Sequence, residues 1–127
     1  MSPIKLSRLE SAVRIVLTFQ QAYNRHDPAA MLTLMSPDCR YEASGPAPDG
    51  AVIIGTAALA DYWEAFFAAA PQVQLEIEEI FGLGLRVIMC WQRTAGAGSA
   101  GLQPVRGIDI FKLQQGVICT QLSYVKG

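Results

Sequence analysis

Histidine is nearly missing from this chain, its basic residues form no cluster, and no apolar run approaches the roughly 18 residues of a membrane helix. A single histidine, His26, and three cysteines among 127 residues leave few ligands for a transition metal. Cys39, Cys90 and Cys119 stand far apart with no Cys-x-x-Cys, so neither a zinc site nor a disulfide framework is expected. They read as reduced, buried thiols of a cytoplasmic protein. The segment GAGSAG joins strands rather than opening a helix, so it is no phosphate loop. The start, MSPIKLSRLESAV, spreads charges through its apolar positions and lacks the apolar core of a signal peptide. With a formal net charge of -1, nucleic acid is not an expected partner. No cofactor or metal is expected, and no membrane.

What the chain has is apolar mass. Hydrophobic residues make up 51% and charged residues 17%, the balance of a globular protein with a real core. One domain over 1–127 fits that length. Charge this sparse on so apolar a chain points to apolar surface used in a subunit contact.

The periodicity falls into two halves. Leu6, Leu9, Val13, Val16, Leu17, Gln20 and Tyr23 recur at three- and four-residue steps, an amphipathic helix ending near Asn24-Arg25-His26. Asp27-Pro28 restarts a short helix over 29–35, because Asp caps free amides and Pro suits a first turn. A strand over 39–43, a loop over 45–50 and a short strand at 52–54 precede a third helix capped by Thr56. That helix carries Leu59, Tyr62, Trp63, Phe66 and Phe67 on one face. After Pro71 the period becomes two. Val73, Leu75 and Ile77 alternate with polar residues, and Gly82 and Gly84 mark a turn. Residues 86–94 form a strand apolar on both faces, expected centrally or in a dimer contact. AGAGSAG over 95–101 is a hairpin loop, and strands over 105–113 and 117–125 flank a turn at Gln115-Gly116. Helices first and strands after predict an α+β fold: three N-terminal helices packed on a curved, mostly antiparallel sheet.

Three stretches carry a resemblance: FQQAYNRHDPAAMLTLMSPDCRYEASGP, GTAALADYWEAFF and VRGIDIFKLQQGVICTQLSYV. Together they resemble the nuclear-transport-factor-2-like superfamily, in its SnoaL-like branch of polyketide cyclases and ketosteroid-isomerase relatives. The resemblance implies a cone-shaped fold enclosing an apolar cavity, and a homodimer formed sheet to sheet. The superfamily hosts isomerases, cyclases, hydratases, epoxide hydrolases and non-catalytic carriers, so it implies less about activity. In the ketosteroid-isomerase pattern, the late-strand acid falls on Asp109, the tyrosine donor on Phe19 and the base on Ala43, with Glu42 adjacent. Two of those three parts are missing. The epoxide-hydrolase pattern fails too, since Ser123 stands where a carboxylate precedes Tyr124 and Cys90-Trp91-Gln92-Arg93 holds no acid. The cyclase pattern matches at Asp109, while its assisting histidine has no counterpart in the strands.

Asp109 is the residue that chemistry rests on. Strand alternation places Gly107, Asp109, Phe111 and Leu113 on one face, and Ile108 and Ile110 on the other. A carboxyl held among apolar residues titrates high and becomes a proton donor or shuttle. A ligand hydrogen bond, or a structural pairing with Arg93 or Arg106, are the competing roles. With Trp91 opposite Asp109, Arg93 falls diagonally beside it. Phe19, Tyr41, Trp63, Phe66, Met89, Trp91, Phe111 and Ser123 are the expected pocket residues, against their alternative as plain core. Glu42 is read as facing solvent. The expected function is binding of a small apolar or aromatic molecule, with isomerase or cyclase chemistry at Asp109; the alternative is a dimeric carrier without chemistry.

Overall fold

A computed structural model describes residues 3–94 and 104–126. Its elements run α1 (Pro3–Asn24), α2 (Pro28–Leu32), β1 (Met35–Glu42), β2 (Val52–Ile54), α3 (Thr56–Ala69), β3 (Gln74–Leu83), β4 (Arg86–Thr94), β5 (Val105–Gln114) and β6 (Val117–Val125). The strands form one sheet in the order β2-β1-β6-β5-β4-β3. Neighbours are antiparallel except β1 and β6, which run parallel. Three helices on a six-stranded, mostly antiparallel open sheet make the α+β fold that the order of patterns predicts. Strand β4, apolar on both faces, lies inside the sheet between β5 and β3.

Several boundaries differ from the sequence reading. The second helix stops at Leu32, and β1 begins at Met35 rather than Cys39. Pro37 therefore sits inside a strand, where it offers no ladder N–H. The sheet absorbs it by an irregularity: Met35 pairs with Ile118, while Arg40 pairs with Thr120. Thr56 is not the cap of α3. Gly55 holds that position at φ 92, and the Thr56 hydroxyl donates to the Pro37 carbonyl at 3.1 Å. Strand β3 continues through Gly82 to Leu83, so the turn falls at Gly84-Leu85. Asp27 does cap α2, accepting from the Ala30 N–H at 3.2 Å. Gln115 and Gly116 turn with φ 52 and 78, the left-handed pair that a tight hairpin requires. The AGAGSAG loop lies outside the described residues.

The core joins both halves. Val16 and Phe19 of α1 and Leu59, Trp63 and Phe67 of α3 pack on Val87, Met89, Phe111 and Leu113 of the sheet. The end of α1 is fastened to the edge strand by side chains. Asn24 accepts from the Leu75 N–H and donates to the Leu75 carbonyl, both at 2.9 Å, taking the place of a further strand. His26, in the left-handed region at φ 56, donates from Nε2 to the Val73 carbonyl at 2.7 Å and stacks on Phe67 at 4.5 Å. The sole imidazole thus holds a corner of the fold together.

Candidate functional site

The pocket has a volume of about 380 Å³ and lies between the aromatic face of α3 and the inner face of the sheet. Tyr23, Tyr41, Tyr62, Trp63 and Phe66 supply its rings from the helices and β1, and Trp91 supplies another from β4. Asp109, Gln121 and Ser123 supply polar groups from β5 and β6, and Arg93 supplies the cation.

Asp109 is 5% exposed. Its Oδ1 accepts from Trp91 Nε1 at 2.9 Å, and its Oδ2 accepts from Gln121 Nε2 at 2.9 Å. Ser123 is its direct cross-strand neighbour. Burial pushes the carboxyl above its ordinary range, while hydrogen bonds from Gln121, Ser123 and Trp91 pull the other way. Neither expected arginine pairs with it. Arg106 binds Glu78 at 3.0 Å on the other side of the sheet, and no ion pair of Arg93 occurs among the described residues.

Register explains why. Met89, not Trp91, stands opposite Asp109; Trp91 faces Gly107, and Arg93 faces Val105. In this pairing the Trp91 indole fills the space over Gly107. A Cβ on Gly107 would lie 2.4 Å from Trp91 Cζ2 and 2.4 Å from the Tyr124 carbonyl oxygen. Only glycine lets the ring lie flat enough for its N–H to reach Asp109 two residues along. Arg93 is thereby carried away from the carboxyl.

The expected pocket residues divide. Asp109, Tyr41, Trp63, Phe66, Trp91 and Ser123 line the pocket. Phe19, Met89 and Phe111 do not: they are closed into the core at 1% exposure or less, with Phe19 edge-on to Phe111 at 5.7 Å. Glu42 lies on the outer face beside Arg40, 3.0 Å away. Gln121 escaped the sequence reading. Strand β6 carries an irregularity at Cys119, so that Ile118 and Gln121, three residues apart, both face inward. Strict alternation from Ile118 turns Gln121 outward, whereas alternation back from Ser123 places it on the pocket face.

Burial also lifts the pocket phenols. Tyr41 stands well above its ordinary value, first through desolvation. Tyr23 and Tyr62 rise for the same leading reason. They remain protonated hydroxyls, able to donate. Three enclosed polar atoms around the pocket have no partner among the described residues: Trp63 Nε1, Arg93 Nε and Gln121 Oε1. Among the described residues no cluster of His, Cys, Asp or Glu is set to hold a metal ion, and no helix is long and apolar enough to cross a membrane.

Known proteins share this architecture. The model of the SnoaL-like domain matches residues 16–121. An NTF2-like protein of unknown function from Mesorhizobium loti is 34% identical, with a TM-score of 0.81 and 94% of each chain covered. A SnoaL-like polyketide cyclase assignment from Jannaschia sp. CCS1 is attached to a structure at 15% identity and TM-score 0.80, covering 99% of this chain and 90% of that one. A structure assigned as a ketosteroid isomerase, from Kribbella flavida, is 14% identical at TM-score 0.79, covering 94% and 80%. The last two show likeness of fold alone. No match was found among curated proteins. The chain belongs to the SnoaL-like domain family, within the NTF2-like superfamily.

Proposed function

We propose that the pocket binds a small, mostly apolar carbonyl compound and that Asp109 moves a proton on it, as an isomerase or cyclase of the SnoaL-like kind. The observation that carries this reading is the carboxyl itself: 5% exposed, in the pocket wall, and bound among the described residues only to neutral donors. In its ionised form Asp109 takes a proton from the carbon next to the carbonyl, leaving an enolate. Trp63 Nε1 and the protonated Tyr62 hydroxyl, itself hydrogen-bonded to the Tyr41 hydroxyl, are the donors available to the enolate oxygen. The protonated acid then returns the proton to another carbon, which is isomerisation. In the cyclase variant the enolate carbon attacks a second carbonyl, and the acid protonates the resulting alkoxide.

Gln121 suits both protonation states. With its amide nitrogen toward Asp109 it donates to the carboxylate. Turned over, its oxygen accepts from the neutral acid. The Oε1 without a partner is what permits that exchange.

The test is deuterium uptake at the α-carbons of 2-tetralone in D2O, followed by proton NMR. The wild type accelerates uptake, and Asp109→Asn slows it by about 100-fold or more. Equal rates in the two proteins contradict the reading.

A second reading, a carrier without chemistry, draws on two positions. Phe19 and Ala43 stand where related isomerases place their tyrosine donor and base, and neither can move a proton. Under it, ligands bind and no exchange is catalysed. In either case we propose a homodimer, with the outer sheet face covered by a second copy. Ile108 and Tyr124 pair across β5 and β6 there and are 40% and 55% exposed. Light scattering at micromolar concentration then gives twice the chain mass; 13.8 kDa contradicts it.

A further inference from the structure

Arg93 is the charged pocket group that this proton chemistry leaves unused. It lies two residues beyond Trp91 on β4, half-buried, and its Nε is enclosed without a partner among the described residues. The ion pairs among the described residues are Arg25–Asp27, Arg40–Glu42 and Arg106–Glu78, none of which involves it. Its field nonetheless reaches into the pocket, lowering the Tyr23 and Tyr62 hydroxyls against the larger lift from burial. A guanidinium keeps its charge at any physiological pH. That charge is set among the aromatic rings of the pocket wall.

An enclosed guanidinium N–H without an acceptor is costly, and a carboxylate is the planar anion that matches its fork. We propose that the ligand of this pocket is an aromatic or conjugated carboxylate, its anion on Arg93 and its ring against Trp63 and Phe66. This rests on the acid–base reading only for which carbon faces Asp109. The preference for an anion stands on Arg93 alone.

Both tryptophans of the chain, Trp63 and Trp91, line the pocket, so intrinsic fluorescence reports its occupancy. Phenylacetate and phenylacetamide have nearly the same shape and differ in charge. The wild type binds phenylacetate roughly tenfold more tightly, the scale of a hydrogen-bonded charge. Arg93→Gln brings the two affinities together, and Arg93→Lys keeps part of the difference. Equal affinities in the wild type, no fluorescence change with either compound at millimolar concentration, or a preference surviving in folded Arg93→Gln overturns the proposal. Asp109→Asn separates the two ideas. Phenylacetate preference retained there, with 2-tetralone exchange lost, supports both. An intact wild-type exchange without any anion preference removes the carboxylate alone.

Discussion

One face of β5 builds two different environments within four residues. At Phe111 and Leu113 it is closed core, with Phe19 of α1 pressed edge-on against the Phe111 ring. At Asp109, one step along the same face, it is the wall of a pocket. Strand geometry does not distinguish the two, since residues two apart share a face. The difference lies in what packs above. Helix α1 fills the space over Phe111, while the rings of Tyr41, Tyr62, Trp63 and Phe66 stand off from Asp109 and leave room. A fold of this kind needs the closed end for stability and spends the open end on a polar group that lowers it.

The two ends should respond to substitution in opposite ways. Phe111→Ala opens a cavity in the closed core and costs about 3–5 kcal/mol, measured by urea unfolding. A loss below 1 kcal/mol would mean that the core and the pocket are continuous. Gly107→Ala comes next, at about 1–3 kcal/mol. Its methyl displaces the Trp91 indole, so the Trp91 emission shifts and Asp109 loses a donor. An unchanged Trp91 signal would contradict the role given to Gly107.

Gln121→Leu removes the donor to Asp109 Oδ2 and costs about 1–3 kcal/mol at neutral pH. It also raises the Asp109 pKa further, so the loss shrinks as pH falls and the acid becomes neutral. A loss independent of pH would mean that Gln121 only fills space.

Asp109→Asn has the smallest expected effect on stability. The native state holds the Asp109 proton more tightly than the unfolded chain does, because the folded pKa is raised. Its contribution is therefore fully present below the unfolded value of about 3.9 and is lost as pH rises through the folded pKa. Asp109→Asn removes that slope and leaves neutral-pH stability equal or higher, while exchange activity is lost. A marked drop in melting temperature at pH 7 would instead make Asp109 a structural residue.

How far these two ends are legible in the sequence differs for a physical reason. Helix α1, strands β4 and β6 and the Gln115-Gly116 turn follow from periodicity and turn chemistry, which are local. Asp109 stands out because a carboxylate among isoleucines breaks the local pattern. Gln121 does not: counted from Ile118, the irregularity at Cys119 shifts the phase of β6, and only Ser123, two residues on, marks its face. The Pro37 segment hides β1 in the same manner, since its unusual pairing with β6 is a tertiary fact. Phe19, Met89 and Phe111 look like pocket residues in sequence because nothing there says which part of the shared face α1 will cover. The family resemblance supplied the fold and could not supply the register that carries Arg93 away from Asp109.

The Asp109 proton can be watched directly. The Asp109 carboxyl carbon, assigned by comparison with Asp109→Asn, is followed by carbon-13 NMR as pH is raised. The account predicts a midpoint clearly above the ordinary aspartate value of about 3.9. A midpoint at or below that value would show a carboxylate held ionised in the fold, and the proton chemistry proposed for this pocket would fall with it.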